Sequence, residues 1–151
     1  MKFEDLLNVK VFTLGEDEYE STLKEDLAIS DDLNKSLANQ PQLVAMYGFA
    51  YEHALAEERK LDTQLEILEA QLDAQVRMEL QAASIKYTEK MVANTVCTNQ
   101  QYVKLQAKLH NAKTTAGLLN KAYQAIVQRK DAVVTMSHND RAASKSNGSD
   151  Y

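Results

Sequence analysis

Residues that interrupt helices are scarce in this 151-residue sequence, which has one proline, four glycines, one cysteine and no tryptophan. The shortage of proline and glycine leaves few positions where a helix must stop, and no Gly-rich phosphate loop is present. Cys97 cannot form a disulfide within the chain, which favours a reducing compartment. No apolar run approaches the roughly 20 residues that span a membrane, and the opening residues lack the pattern of a signal peptide.

Helix-forming residues are abundant instead. Glu, Gln, Ala, Leu and Lys dominate, and they favour helices. Hydrophobic residues make up 44% of the chain, which is enough for a packed helical seam but little for a thick globular core. The length is that of one domain. We therefore predict an all-α fold: a long antiparallel helical hairpin with a short connecting helix and an N-terminal helix, coiled-coil-like and homo-oligomeric.

The two ends of the chain differ from its middle. Residues 1–40 are predicted to be an acidic N-terminal segment, with an extended piece at 9–12 and one helix over 16–38, where leucines recur at loosely helical spacing. The Ser-, Asn- and Asp-rich residues 139–151 are predicted to be a disordered tail.

The middle of the chain, residues 41–138, carries the predicted hairpin. Pro41 suits the first turn of a helix, where its missing N–H is no loss. The apolar spacing that follows predicts a helix over 41–83. A short helix over 88–96 and a long one over 99–136 complete the hairpin.

The clearest apolar pattern lies in the last of these helices. Thr88, and Thr98 with Gln101 at capping-box spacing, are predicted to cap the helices that they precede and so to turn the chain back. The apolar residues then alternate in steps of three and four, as in a heptad seam, and Lys130 fills the one charged position. A stripe of this length exceeds what two helices bury and predicts a homo-oligomer. The seam consists of Tyr102, Leu105, Leu109, Ala112, Ala116, Leu119, Tyr123, Ile126 and Val133.

The net charge of −5 conceals two regions of opposite sign. Residues 1–99 contain 9 Lys/Arg and 19 Asp/Glu, a net charge of −10, whereas residues 100–151 contain 8 Lys/Arg and three aspartates, a net charge of +5. This asymmetry predicts either an anionic partner for one end or self-assembly between opposite ends.

Catalytic and metal-binding patterns are missing from the sequence. The three histidines are scattered, and Cys97 has no second cysteine at CxxC spacing. No Glu-x-x-His pair follows Glu57 and Glu58, so the pattern of di-iron helical bundles is not met. We therefore predict a protein that is not an enzyme and has no cofactor and no metal site.

Cationic residues of the C-terminal helix are the candidate nucleic-acid-binding residues. Lys104 and Lys108 are four residues apart and share a helix face. In one interpretation, the set forms a track that neutralises phosphates, and binding is salt-sensitive and independent of the nucleotide sequence. In the other, it is a solvated face that pairs with the acidic first helices. The spacing of the residues favours neither interpretation. Tyr102 and Tyr123 lie on the seam and are assigned to packing before base stacking. The six cations are Lys104, Lys108, Lys113, Lys121, Arg129 and Lys130.

The order and spacing of several short motifs resemble the UvsY-like recombination mediators of tailed bacteriophages. The resemblance covers roughly residues 30–143, with a further match at the opening of the chain. The motifs are an opening at Met1–Leu6, a turn at Lys86–Lys90 after a long helix, the stretch Tyr102–Gln106, and Tyr123–Arg129 followed by Ala132 and Val133.

This resemblance implies a non-enzymatic, phage-encoded protein of the host cytoplasm that assembles into a ring-like homo-oligomer. Proteins of this family bind single-stranded DNA and help load a RecA-like recombinase onto strands coated by a single-strand-binding protein. Arg129 and Lys130 match the family's basic end-of-helix pattern. Arg59 and Lys60 lie where the family's first long helix has a richer basic and aromatic stretch, which two glutamates dilute here. The alternative is a structural or scaffold coiled-coil protein of a phage that does not bind nucleic acid.

Overall fold

The computed structural model describes residues 13–14, 17–18 and 22–146, and helices dominate them. The two-residue strands β1 (Thr13–Leu14) and β2 (Asp17–Glu18) pair antiparallel, with Thr13 opposite Glu18. The described residues that follow form the helices α1 (Leu23–Leu27), α2 (Leu33–Ala82), α3 (Glu89–Thr98) and α4 (Gln100–Ser146). The predicted all-α fold with two long helices is confirmed, whereas the predicted extended piece at 9–12 lies outside the described residues.

The two long helices, α2 and α4, each contribute to two compact units. Unit 1 contains residues 1–52 and 117–151, and unit 2 contains residues 53–116. Within unit 1 the start of α2 packs on the end of α4. Within unit 2 the end of α2 packs on α3 and the start of α4. In both units the helices therefore pair in the order expected of a helical hairpin.

The core of unit 1 joins α1, α2 and α4. Tyr47 and Ile126 are fully buried there, and burying a large apolar side chain contributes about 1.5–3 kcal/mol. A capping box between Thr22 and Glu25 begins α1, but a helix of five residues does not persist alone. It is held because its Leu23 joins the core. The buried cluster is Leu23, Met46, Tyr47, Ala122 and Ile126.

The start of α2 differs from the prediction. The helix begins at Leu33 because Asp32 caps it, with its Oδ1 accepting bonds of 3.1 Å from the N–H groups of Asn34 and Lys35. Pro41 therefore lies inside α2 instead of in its first turn. The single helix predicted over 16–38 is wrong, because α1 ends at Leu27 and residues 28–32 are not helical.

The core of unit 2 is a second apolar cluster, to which α2, α3 and α4 all contribute. Val92 of α3 is fully buried in it. Around it, Leu65, Leu68, Leu80 and Tyr87 pack as partly buried neighbours. The apolar residues of α2 and α4 are therefore buried on one face of each helix, as their spacing predicts. The buried cluster is Leu72, Val76, Val92, Val96 and Tyr102.

The connector between α2 and α4 turns twice. At the end of α2, Ile85 N–H donates to Leu80 O (3.0 Å) and Ser84 N–H donates to Gln81 O (2.9 Å), with Ser84 in the left-handed region at φ 57°. This is the Schellman arrangement, in which glycine is the usual residue. Thr88 then caps α3 as predicted, accepting a 3.3 Å bond from Met91 N–H.

The prediction that Thr98 caps the last helix is wrong. Thr98 is the final residue of α3, and its hydroxyl donates back to Asn94 O and Thr95 O. Asn99 makes the cap instead, since its Oδ1 accepts a 2.8 Å bond from Gln101 N–H. α4 then continues to Ser146, so the first part of the segment predicted as a disordered tail is helical, and residues 147–151 lie outside the described part of the chain.

Candidate nucleic-acid interface

Lys104 and Lys108 are two candidate residues of unit 2 on one face of α4. Both side chains are exposed on α4, whereas their neighbours Tyr102 and Leu109 are buried. The lysines therefore point away from the core on one helix face. Among the described residues, no carboxylate forms an ion pair with either lysine. Two adjacent, unpaired ammonium groups of this kind can each neutralise a phosphate.

Other predicted cations of unit 2 already have carboxylate neighbours. Lys113 Nζ of α4 lies 3.7 Å from Asp62 Oδ1 of α2, and both side chains are about half exposed. Lys60 Nζ lies 3.5 Å from Glu57 Oε1. Exposed pairs of this kind contribute about 0–1 kcal/mol, so they weaken the local positive potential without fixing either lysine. Arg59 is exposed.

In unit 1, Lys121 and Lys130 are exposed but Arg129 is buried. The Arg129 guanidinium donates to Ala28 O through Nε (3.3 Å) and Nη2 (2.9 Å), and Nη1 donates to Ser36 O (3.3 Å) and Gln40 Oε1 (2.5 Å). Gln40 Nε2 in turn donates to Ile126 O at 2.6 Å. In this conformation the donors of Arg129 are bonded within unit 1.

The burial of Arg129 corrects the predicted seam at position 130, and the buried row also runs through Ala122, one residue before the seam residue Tyr123. The seam assigned position 130 to the interior, but Lys130 is exposed and Arg129 is 8% exposed. The cause is a second packing neighbour, since α1 and the residues after it cover α4 beside α2. Ala122, Ile126, Arg129 and Val133 then become the buried row. The single gap in the heptad pattern was the one signal that sequence reasoning had for this change.

Tyr102 and Tyr123 lie where packing places them. Tyr102 is buried in the core of unit 2, and Tyr123 is half-buried against the core of unit 1. A Cβ at Gly48 would lie 3.4 Å from the Tyr123 ring, so the glycine allows α2 to approach this ring closely. Neither ring presents a free face comparable to the stacking platforms of single-strand-binding proteins.

Arg77 is a cation that sequence reasoning did not single out, and it organises the corner of unit 2. It bonds to Asp73 Oδ2 (2.7 Å) one turn earlier in α2 and to Glu89 (2.5 and 2.9 Å) at the start of α3. These bonds hold the pKa values of both carboxyls below their usual range. The i, i+4 spacing of Asp73 and Arg77 was the available signal, but the partner on α3 had none.

An acidic groove lies beside this corner in unit 2. Its volume is about 510 Å³, and it is lined by Glu66, Glu69 and Asp73 of α2 and by Ala93, Val96 and Cys97 of α3. Within the described ranges, no cluster of three His, Cys, Asp or Glu residues has the geometry of a metal site. The groove therefore contributes negative potential, which repels a polyanion from this side of unit 2 and favours the exposed side of α4.

None of the helices in the described part of the chain combines the length and the apolarity needed to cross a bilayer. The chain matches no protein-family model, no curated protein and no solved structure at a significant level. The resemblance to UvsY-like mediators therefore rests on the short motifs alone.

Proposed function

We propose that the protein is a non-enzymatic, single-stranded-DNA-binding recombination mediator, which helps load a RecA-like recombinase onto strands coated by a single-strand-binding protein. The observation that carries the proposal is the pair Lys104 and Lys108, exposed on α4 without ion-pair partners among the described residues. Lys104 lies within one motif of the resemblance, Tyr102–Gln106. The long helix α4 presents these lysines at a regular spacing. Among the described residues, no group of three His, Cys, Asp or Glu residues could hold a metal ion.

The exposure and the ion pairs of the candidate cations support a smaller set of proposed DNA contacts. Lys104, Lys108, Lys121 and Lys130 of α4 are exposed, as is Arg59 of α2. Lys113 and Lys60 reach DNA only by leaving Asp62 and Glu57, which costs little for exposed pairs. Arg129 is not part of the contact surface while it is buried. The contacts that we propose lie mainly on α4.

The mechanism follows from the weakness of each contact. A lysine that neutralises one phosphate releases a counterion, so affinity falls as salt rises. A single chain with few free lysines binds weakly, whereas a homo-oligomer, such as a ring, presents many copies and gains affinity by multivalency. A strand held along such a surface is bent away from a competing coat protein. The acidic side of α2 repels DNA and fits a basic surface on the recombinase or the coat protein.

A titration of a fluorescent oligo(dT) by anisotropy tests the proposal. Lys104→Gln combined with Lys108→Gln should weaken binding and should lower the salt slope by about 1.4, at about 0.7 for each lost contact to single strands. Lys86→Gln combined with Lys90→Gln is the matched control, because these two exposed lysines have the same spacing and lie in the same unit. Equal effects of the two double variants would contradict a specific contact at Lys104 and Lys108.

A scaffold function is the second candidate, and a specific observation favours it. Of the eight predicted cations, one is buried and two already pair with carboxylates, while the whole chain has a net charge of −5. Light scattering and the same titration separate the two functions. An oligomer that ignores oligo(dT) at low salt supports the scaffold, and a salt-sensitive complex supports the mediator.

A further inference from the structure

We propose that residues 22–32, which we name the acidic cover, are an autoinhibitory segment that masks Arg129 from polyanions and opens when single-stranded DNA binds. The inference rests on the proposed function and deepens it, since it assigns the basic end of α4 two states. In the closed state Arg129 donates hydrogen bonds to Ala28, Ser36 and Gln40. In the open state it joins the exposed lysines of α4 in contacting phosphates.

The charge and position of the acidic cover fit this role. It contains Glu25, Asp26, Asp31 and Asp32 against the single cation Lys24. Within unit 1, Glu25 and Asp26 line the same cleft as Arg129, which has a volume of about 400 Å³. A second cleft, of about 310 Å³, places Asp31 and Asp32 beside Arg141 of α4. The four carboxylates of the cover thus lie along two clefts that arginines of α4 also line.

Arg129 bonds to the cover and to α2 through acceptors that are weak for a buried cation. Its described partners are Ala28 O of the cover and, on α2, Ser36 O and the Gln40 amide oxygen. No described carboxylate pairs with it. A buried guanidinium loses its hydration, and neutral acceptors offset this loss less than a carboxylate would. Exposure to water or phosphate recovers that loss, which lowers the free energy of opening.

The cover has further anchors within unit 1. Leu23 joins the core of unit 1, and Leu27 packs partly against it. Tyr47 Oη donates a 2.8 Å bond to Asp26, and Ser30 N–H donates a 3.0 Å bond to Ser36 Oγ. A five-residue helix has little stability of its own. Such a segment belongs to the low-stability part of a fold that opens without global unfolding.

Two substitutions confined to the cover test the inference. Leu23→Ser with Leu27→Ser removes the apolar anchors of the cover and leaves the sequences of α2 and α4 unchanged. In oligo(dT) titrations at about 50 mM salt, this open variant should bind roughly fivefold more tightly, with a salt slope steeper by about 0.7 for the added Arg129 contact. Arg129→Gln in the open variant should cancel the gain. An unchanged affinity, or a gain that persists with Arg129→Gln, would overturn the inference.

A measurement on the unsubstituted protein covers the case in which the open variant fails to fold. Hydrogen exchange followed by mass spectrometry should show faster amide exchange in residues 22–32 when oligo(dT) is bound. Unchanged or slower exchange in the complex would overturn the inference.

The proposed function fails separately. If Lys104→Gln with Lys108→Gln leaves the binding unchanged, the contact surface is wrong, while an Arg129-dependent gain on opening still supports the cover. If neither the unsubstituted protein nor the folded open variant binds at low salt, both proposals are overturned.

Discussion

Units 1 and 2 each depend on an arginine, and the two arginines are held in opposite ways. Arg129 of unit 1 is buried and bonds to neutral oxygens of residues up to 101 positions away. Arg77 of unit 2 is partly exposed and bonds to carboxylates only 4 and 12 positions away. Arg77 therefore contributes local, charged contacts to unit 2, whereas Arg129 contributes long-range bonds to neutral acceptors in unit 1.

The largest expected difference comes from removing the buried arginine. Arg129→Ala leaves Ala28 O, Ser36 O and Gln40 without their donor and creates a cavity, so we expect a loss of about 3 kcal/mol in the free energy of unfolding. Urea unfolding at neutral pH measures it. The neighbouring exposed Lys130→Ala is the control and should change stability by less than about 0.5 kcal/mol. Similar losses for the two variants would contradict the structural role of Arg129.

The capping residues of unit 2 give the next largest effect. Asn99→Ala should cost about 1 kcal/mol, because it removes the acceptor for the Gln101 N–H at the start of α4. Thr98→Ala should stay within about 0.5 kcal/mol, since its hydroxyl only bonds back to carbonyls of its own helix. Thermal unfolding of the two variants checks the order. A larger loss with Thr98→Ala than with Asn99→Ala would indicate that Thr98 caps α4.

Ser84 offers a stabilising change in the connector of unit 2. Its φ of 57° costs a residue with a side chain about 1 kcal/mol, so Ser84→Gly should raise the free energy of unfolding by up to about 1 kcal/mol. The control is Ser144→Gly within α4, where glycine should instead be destabilising. Loss of stability with Ser84→Gly would show that the serine side chain has a role beyond its backbone conformation.

The smallest expected effect, and the sharpest test of the comparison, is pH dependence. The pKa values of Asp73 and Glu89 are lowered by hydrogen bonds from Arg77. Their contribution is therefore present above their unfolded pKa values, about 4, and is lost as pH falls through the lower folded values. Arg77→Gln should lower the urea midpoint slightly at neutral pH and have almost no effect near pH 2.

Arg129→Ala should have a similar cost at both pH values, because the acceptors of Arg129 are neutral. A cost that disappears in acid would reveal a carboxylate partner and would remove the contrast between the two units. High salt provides a second check, since screening weakens the exposed pairs of Arg77 much more than the buried bonds of Arg129.

The difference between local and long-range contacts also determines which features could be predicted from the sequence. Thr88 was found as a cap because its partner lies three residues away, and α3 lies close to its predicted bounds for the same reason. The cap at Asp32 is also local, but the leucine spacing on either side of it suggested one continuous helix. The end of α4 was placed too early because its polar composition resembles that of a disordered tail.

Arg129 could not have been placed from its own neighbours. Helical spacing puts it beside the seam, where a cation is normally solvated, and only the return of residues 28–40 against α4 encloses it. Of the cations predicted as candidates for nucleic-acid binding, the lysines and Arg59 are exposed, whereas Arg129 lies in the interior of the fold.

The helical class, the apolar faces of the long helices and the basic character of α4 are predictable, because they depend on residue type and spacing along one element. Which cations remain in water depends on packing between distant segments, because burial requires a segment that covers the side chain. The tertiary structure placed an acidic segment over Arg129, left Lys104 and Lys108 exposed, and so determined which positive charges a polyanion can reach.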